Sequence, residues 1–425
     1  MINFMRGKMN RKNFYRLLVI GLIGLIITLF NCAEEEPLSP QTIRGKIIGV
    51  VKPFGIKAQV DLKQGSILQT VYADSVTGIY EFSSVASGVY NLEFSANRFG
   101  RQVLNEVMIL EGRVTTIRDI ILRPLPEQIY FINPADGASG IAVNAAIEIQ
   151  FTTLMDRATV ENQFSIYPPT DGYFEWETNS SGNKLLFHPG DQYITNHSYT
   201  IALGNQAKTI NGDTLAFDIT SAFSTESLKL VSSIPENGAT YISPEVIIYL
   251  SFNSKVDRRM AEDSIKFSPP LFGDFKWLDS RRLSFDPGAY LASNTQYTVE
   301  NLDKLIDIYG SVLTGKNALS FETEPLRVIA NFPANGATRI SRNTSIVIGF
   351  NTAVNQASVE SAFRMTPQPG NWYFQWTDLT RFQYMGSTQL QANTMYQITI
   401  QDSVCTDNWG NPLPAEFSIF FSTGN

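Results

Sequence analysis

The chain has 425 residues, with 33 lysines and arginines against 40 aspartates and glutamates and a formal net charge of −7. At about 100 to 200 residues per domain, this length predicts two to four domains. An acidic balance without a basic block argues against nucleic acid as a partner, because phosphate contacts need clustered Lys and Arg. Two cysteines and two histidines are too few for a disulfide scaffold, and they make a four-ligand zinc site only if all four converge.

The N-terminus has the layout of an export signal. Residues 6–16 carry five positive charges and no acid, and an apolar run of 14 residues follows and ends at Phe30. This run is shorter than the roughly 20 residues of a membrane-spanning helix and fits a signal-peptide core. Leu29, Asn31 and Cys32 then resemble the lipobox of bacterial lipoproteins, although that family usually has Gly, Ala or Ser in place of Asn31. The resemblance implies a signal peptide over residues 1–31 and acylation of Cys32; the alternative is an uncleaved anchoring helix.

Residues 32–41 are acidic and proline-containing, which predicts a flexible tether after the lipidated cysteine. Removal of the five leader cations takes the formal net charge from −7 to −12. Acidic residues directly after the cysteine also resemble the export tag with which some Bacteroidetes place lipoproteins on the outer face of the outer membrane. We therefore expect membrane lipid as one partner, through Cys32, and a lipid-anchored location in the cell envelope, at the outer membrane and exposed on the surface.

Residues 42–124 alternate apolar and polar side chains at period two and carry turn signals such as Val76-Thr77-Gly78, which predicts about seven short antiparallel strands. The stretches from Ala73 to Phe82 and from Val85 to Leu92 resemble the carboxypeptidase regulatory-like, or transthyretin-like, domain. The resemblance implies a β-sandwich in which these residues have roles in the fold and not in catalysis.

The remaining chain repeats one unit three times, which we call repeat 1 (129–225), repeat 2 (229–324) and repeat 3 (327–425). Each unit opens with Pro-x-(Asp/Asn)-Gly-Ala and continues through an apolar strand that ends in Phe. A Phe-x-Trp strand, an Asn-x-x-Tyr step and a closing Phe-x-Thr follow. The opening prolines lie 101 and 98 residues apart (Pro134, Pro235 and Pro333). This period predicts three domains of about 100 residues.

The repeated pattern resembles the bacterial Ig-like domain first described in surface-layer proteins, and the resemblance implies three Ig-like sandwiches. An Asp or Asn after the first long strand of each unit is suited to cap a short helix (Asp156, Asp257 and Asn355). The predicted fold is all-β: four tandem antiparallel β-sandwiches, one transthyretin-like and three Ig-like, after an N-terminal signal helix. Linkers of a few residues predict a semi-rigid string of domains.

Aromatic residues are the remaining candidates for a binding surface, because exposed Trp and Tyr stack on sugars. Three tryptophans recur once per unit on a strand face shared with Phe, which predicts core positions (Trp176, Trp277 and Trp376). Trp409 precedes a glycine at a position that is Ile210 or Tyr309 in the other units, which favours packing. Trp372 has no aromatic counterpart, and alternation places it on the core edge with Tyr373 on the opposite face. Trp372 and Tyr373 are the candidate glycan-stacking residues.

No catalytic constellation is evident, so we expect a non-enzymatic protein without a cofactor or metal. The leading hypothesis is a lipid-anchored envelope protein that presents tandem sandwiches for adhesion, binding or spacing, with an extracellular protein or a polysaccharide as partner. The first alternative is a glycan-binding surface lipoprotein that uses exposed aromatics. The second alternative is an envelope hydrolase with a carboxylate pair between domains.

Overall fold

The computed structural model describes residues 44–179, 182–315 and 318–425. The predicted signal helix, the tether and the candidate lipidation residues (Leu29, Asn31 and Cys32) lie outside the described residues. No helix within the described ranges is long and apolar enough to cross a membrane.

The strands of the first sandwich are β1 (Gly45–Lys52), β2 (Gln59–Gln64), β3 (Ser66–Tyr72), β4 (Ile79–Val85), β5 (Gly88–Ser95), β6 (Gln102–Ile109), β7 (Val114–Thr116) and β8 (Ile120–Ile121). They form two packed sheets. One has the order β4-β1-β7 with β8 also paired to β1, and the other has the order β3-β2-β5-β6. Strand β1 pairs antiparallel with β4 but parallel with β7 and β8.

The three repeats share one topology, with two four-stranded sheets each. Repeat 1 contains β9 (Ile129–Asn133), β10 (Ala138–Ile141), β11 (Ile147–Phe151), α1 (Arg157–Gln163), β12 (Phe164–Tyr167), β13 (Gly172–Asn179), β14 (Gly182–Pro189), β15 (Ser198–Leu203) and β16 (Ile219–Thr225). Repeat 2 contains β17 (Leu230–Ile234), β18 (Ala239–Ile242), β19 (Ile248–Phe252), α2 (Arg258–Ser264), β20 (Lys266–Ser268), β21 (Asp274–Trp277), β22 (Arg282–Asp286), β23 (Gln296–Glu300), a 3-10 turn (Leu302–Lys304) and β24 (Leu319–Thr323). Repeat 3 contains β25 (Val328–Phe332), β26 (Ala337–Ile340), β27 (Ile346–Phe350), α3 (Gln356–Ala362), β28 (Phe363–Thr366), β29 (Trp372–Trp376), β30 (Arg381–Gly386), β31 (Met395–Ile400) and β32 (Phe417–Thr423).

In repeat 1 the sheets have the orders β13-β14-β11-β9 and β10-β16-β15-β12, and repeats 2 and 3 follow the same orders with their own strands. The all-β prediction is confirmed, and the structure adds one parallel pairing per repeat, between its second and last strands. The cores lie between the two sheets of each sandwich and contain buried aliphatic and aromatic side chains.

The opening motif explains how each parallel pair begins. In repeat 1 the N–H of Gly137 donates to the carbonyl of Ala222 on the last strand at 2.7 Å, and the Asp136 carboxylate accepts from the N–H of Ala222 at 3.0 Å. Gly137 has φ of 80°, in the left-handed region that glycine adopts without steric cost. Repeats 2 and 3 form the same two contacts through Asn-Gly. The motif therefore recurs because it joins the second strand to the last.

The helix-capping prediction is also confirmed. The side chains of Asp156, Asp257 and Asn355 accept the N–H three residues ahead, at 3.4, 3.1 and 3.0 Å, and thereby satisfy a donor that the first helical turn leaves free. Each helix in turn holds the recurrent tryptophan of its repeat by a Glu that accepts the indole N–H, in the pairs Trp176–Glu161, Trp277–Glu262 and Trp376–Glu360 at 2.7, 2.7 and 2.9 Å.

The N-terminal joint, between the first sandwich and repeat 1, is hydrogen-bonded along the edge strand β6. The N–H of Val103 donates to the carbonyl of Asp136 at 2.9 Å, and the N–H of Asp136 donates to the carbonyl of Arg101 at 3.2 Å. The Asn105 amide donates to the carbonyl of Gly137 at 2.7 Å. The opening motif of repeat 1 thus also extends the sheet of the first sandwich by one short bridge.

The repeat 1–2 joint and the repeat 2–3 joint are each built around a buried carboxylate. Asp307 is 1% exposed and Asp407 is fully buried. Asp307 accepts a hydrogen bond from the hydroxyl of Thr195 in repeat 1. Asp407 accepts from the N–H and the hydroxyl of Ser293 in repeat 2, at 2.9 and 2.8 Å. These residues hold equivalent positions in their repeats, so the same contact fixes both joints.

Candidate binding cleft at the N-terminal joint

A cleft of about 900 Å³ lies at the N-terminal joint, and we call it the N-terminal cleft. The first sandwich contributes the ends of β2 and β3 and the turn before β6, and repeat 1 contributes β9 and part of β11. Its main side chains are Lys57, Gln59, Tyr72, Arg98, Arg101, Glu127, Tyr130, Phe131 and Glu148. The two walls belong to different domains, so the cleft exists only because β6 is bonded to the start of repeat 1.

Aromatic rings stand on both walls of the cleft. Tyr72 at the end of β3 is 55% exposed, and Tyr130 on β9 is 69% exposed. The Lys57 ammonium lies 4.8 Å from the centre of the Tyr72 ring, and Tyr130 meets Phe131 edge to face at 5.8 Å. Exposed rings of this size leave large apolar faces in water, which is unfavourable unless a ligand covers them.

Arg101 lies between the walls. Its guanidinium stands 5.8 Å from the centre of the Phe131 ring, and Nη1 is 3.4 Å from the Glu93 carboxylate. Its Nε is buried and has no hydrogen-bond partner among the described residues. Arg101 also borders a second cavity of about 370 Å³ with an apolar wall that includes Leu125, Ile132 and Phe217. The guanidinium therefore keeps one donor, Nε, buried and unpaired within the described residues at this joint.

Most other charges of the cleft are paired within the chain. Arg98 pairs with Glu127 at 2.9 Å, and Glu148 pairs with Lys184 at 3.0 Å. Glu148 and Glu177 together raise the pKa of Lys184 above its ordinary value, with the hydrogen bond to Glu177 as the largest cause. This pairing leaves a lining with aromatic faces, amide and guanidinium groups and little uncompensated charge.

The sequence-predicted candidates Trp372 and Tyr373 lie far along the chain, on β29 of repeat 3. Trp372 is half-buried, packs 5.5 Å from the centre of the Tyr384 ring and donates its indole N–H to the carbonyl of Thr388 at 3.0 Å. Tyr373 points to the other face and is 58% exposed. The structure places these two residues on opposite faces of one strand and does not bring them together with the N-terminal cleft.

One further expectation has a clear outcome. The packing predicted for Trp409 is wrong, because its side chain is 51% exposed at the repeat 2–3 joint. Cys405 is a fully buried free cysteine, and burial raises the pKa of its thiol to about 12. No group of three or more His, Cys, Asp or Glu side chains in the described ranges is arranged to hold a metal ion.

Sequence reasoning missed the residues of the N-terminal cleft, although one signal for them exists. Tyr130 and Phe131 stand where repeat 2 has Val231 and Ser232, so repeat 1 carries two aromatics that the shared fold does not require. Tyr72 gave no signal, because a single tyrosine at a strand end is common in sandwiches. A difference between repeats is therefore more informative about a binding surface than the residues that the repeats share.

Comparison with known proteins identifies the repeats. Residues 125–225, 224–323 and 322–423 each match the family described as the bacterial Ig-like domain. No curated protein matches the sequence. An L,D-transpeptidase from Mycobacterium tuberculosis H37Rv is 17% identical over 31% of this chain and 52% of its own, with a TM-score of 0.19, so this chain spans about half the length of that enzyme.

A second solved structure is similar over a longer stretch. SGBP-B from the mixed-linkage glucan utilization locus of Bacteroides ovatus, solved with a mixed-linkage heptasaccharide, is 11% identical over 86% of this chain and 87% of its own, with a TM-score of 0.23. Such values carry no functional argument. The three family matches, in contrast, together run from residue 125 to residue 423, well over half of the sequence, and the chain belongs to the bacterial Ig-like domain family.

Proposed function

We propose that this chain is a non-catalytic, lipid-anchored protein of the bacterial cell envelope that presents four β-sandwiches and binds polysaccharide in the N-terminal cleft. In this proposal Cys32 is acylated after cleavage of residues 1–31, the first sandwich is a transthyretin-like domain, and the repeats are of the surface-layer type. The protein sits at the outer membrane with its domains outside.

Acylation of Cys32 would account for stable membrane attachment. Each acyl methylene buried in the bilayer contributes on the order of 0.8 kcal/mol, so two or three long chains on Cys32 hold the protein at the membrane effectively permanently. A segment of nine residues, the length of 33–41, can span at most about 30 Å at ~3.3 Å per residue. The N-terminal cleft would then lie within the polymer layer close to the membrane, and not at the far end of the molecule.

The observation that carries the binding proposal is that two exposed tyrosines from different domains, Tyr72 and Tyr130, line one cleft. A hexose ring has an apolar C–H face and a rim of hydroxyl groups. Aromatic rings would cover the apolar face of the sugar, and side chains such as Gln59 and Arg101 would form hydrogen bonds with its hydroxyl groups. The volume of about 900 Å³ falls within the roughly 300 to 1,000 Å³ typical of ligand sites. Because most charges in the lining are paired, a neutral polysaccharide fits better than a charged one.

The spacing role has its own support in the two repeat joints. A buried carboxylate at each joint restricts how one repeat turns against the next, so the repeats would project the molecule as a stiff rod. The same burial speaks against the hydrolase alternative at these joints, since Asp307 and Asp407 are enclosed and hydrogen-bonded and would not reach a substrate as general acid or base.

The proposal is tested by screening the full chain against neutral polysaccharides and measuring the best one by calorimetry. Tyr130→Ala should weaken binding by about threefold to tenfold, as expected for the loss of one aromatic contact. Tyr373→Ala is the matched control, because it removes an equally exposed tyrosine in repeat 3. Binding that is lost with Tyr373→Ala and kept with Tyr130→Ala would move the site to repeat 3, and a screen without any binding would reject polysaccharide recognition.

A further inference from the structure

The repeat 2–3 joint contains a pocket of about 510 Å³, which we call the joint pocket. Repeat 2 supplies Glu245, Asp286 and Tyr290, and repeat 3 supplies Ala353 and Trp409. The lining thus has two carboxylates and two aromatic rings and no basic side chain. The exposed indole of Trp409 forms one side of it.

Trp409 is held in place by the residue that fixes the joint. Its backbone N–H donates to one oxygen of Asp407 at 2.9 Å, and the other oxygen of Asp407 accepts from Ser293 of repeat 2. One buried carboxylate therefore sets both the orientation of the two repeats and the position of the indole. The pocket is a fixed feature of the assembled joint, although its residues come from two domains.

The repeat 1–2 joint shows what occupies the equivalent place in the same molecule. Lys255 of repeat 2 corresponds to Ala353 of repeat 3, because the N–H of Ile308 donates to the carbonyl of Lys255 and the N–H of Asn408 to that of Ala353, both at 3.0 Å. An ammonium group at the first repeat joint is thus replaced by a methyl group at the second.

A second replacement works in the same direction. Arg281 of repeat 2 corresponds to Thr380 of repeat 3. The N–H of Phe252 donates to the carbonyl of Arg281 at 2.9 Å, and the equivalent N–H of Phe350 donates to the carbonyl of Thr380 at 2.8 Å.

At the repeat 1–2 joint both Lys255 and Arg281 pair with Asp191 of repeat 1, the arginine at 3.1 Å. The chain therefore pairs its own cations with a carboxylate at the repeat 1–2 joint. At the repeat 2–3 joint neither cation is present, and Ala289 stands at the position of Asp191. The carboxylates of the joint pocket, Glu245 and Asp286, stand at other positions of repeat 2.

We propose that the joint pocket binds a basic side chain of a partner polypeptide, with lysine as the simplest case. The ligand would bring a cation into a lining that contains two carboxylates and no basic side chain of its own. Glu245 and Asp286 attract the charge, and the rings of Tyr290 and Trp409 accept the cation and its alkyl stem on their faces. The small side chain of Ala353 leaves the space that the stem needs.

The test uses the full chain labelled with nitrogen-15 and follows the indole N–H signal of Trp409, which Trp409→Phe identifies. Acetyl-lysinamide is the probe, and acetyl-norleucinamide, which has a similar stem without the charge, is the control at matched salt. We expect the signal to shift progressively with acetyl-lysinamide and not with acetyl-norleucinamide. A separate titration with glucosamine tests whether any ligand with an ammonium group shifts the signal.

Two variants make the assignment specific. Ala353→Lys restores the cation that repeat 2 has at this position and should abolish the shift. Glu245→Gln should weaken binding by about twofold to fivefold, as expected for one partly exposed charge pair. If Ala353→Lys fails to fold by calorimetry, Asp286→Asn takes its place with the expectation given for Glu245→Gln. Equal shifts with acetyl-norleucinamide, tighter binding of glucosamine, or a shift that survives in the folded Ala353→Lys variant would each overturn the proposal.

Discussion

Replacement of Asp407 by alanine is the sharpest test of how the repeats are joined. Asp407 accepts five hydrogen bonds: from the N–H and hydroxyl of Ser293, the N–H of Trp409, and the N–H and side-chain amide of Asn411, at 2.8 to 3.0 Å. Ser293 is fully buried, so its two donors would lose their only acceptor without gaining water. Each such loss costs about 1 to 3 kcal/mol.

The N–H groups of Trp409 and Asn411 are near solvent and add less, because water can replace the carboxylate. We therefore expect Asp407→Ala to lower the free energy of unfolding of repeat 3 by about 3 kcal/mol, within the ~2 to 6 kcal/mol that the two Ser293 donors allow. For a domain near 100 residues this is a fall in Tm of roughly 10 to 20 °C. Calorimetry of the full chain should also show repeats 2 and 3 melting separately.

Two controls bracket this result. Asp407→Asn keeps the size but directs an amide N–H₂ at the donors of Ser293, so its destabilisation should approach that of the alanine variant. Asp303→Ala removes an exposed carboxylate from repeat 2 and should change stability by less than about 0.5 kcal/mol. The reasoning about the joint is refuted if Asp407→Ala melts within about 3 °C of the wild type and the Ser293 amide keeps its protection from hydrogen exchange.

The remaining predictions concern three single residues. Burial raises the pKa of the Cys405 thiol from 9.0 to about 12, so Cys405 in the folded chain should resist thiol reagents at pH 8, because the thiolate is the reactive form. Since the unfolded thiol ionises first as pH rises, stability should fall by about 1.4 kcal/mol per pH unit above pH 9; a Cys405→Ala variant with the same slope, measured by urea unfolding, would contradict this. Glu360→Gln weakens the acceptor of the Trp376 indole N–H, 2.9 Å away, and should cost about 0.5 to 1 kcal/mol at this exposed site; an unchanged urea midpoint would show that the contact contributes nothing. Cys32→Ser should abolish lipid labelling and release the protein from membranes, and undiminished membrane retention would exclude the acylated anchor.

Sequence reasoning determined the all-β class and the threefold repetition, because both are encoded in local patterns. Alternation at period two reports a sheet with one buried face, and a unit that recurs every hundred residues shows which side chains the fold needs. The roles of several recurrent residues were within reach for the same reason. An Asp or Asn before a short helix caps it wherever it occurs, and Asp257 does so as Asp156 does.

Only the tertiary structure decided where binding surfaces lie, because they form between domains. Tyr72 and Tyr130 belong to different sandwiches. They line the same cleft because hydrogen bonds join β6 of the first sandwich to the opening of repeat 1. Comparison of Trp409 with Ile210 and Tyr309 predicts a packed side chain, yet the residue is exposed at the repeat 2–3 joint, where its backbone is bonded to Asp407. Repetition identifies the residues that every copy shares, and those residues build the core. Tyr130 and Trp409 differ from their counterparts in the other copies and lie at joints, where the contacts are set by distances in space that the order of the chain does not contain.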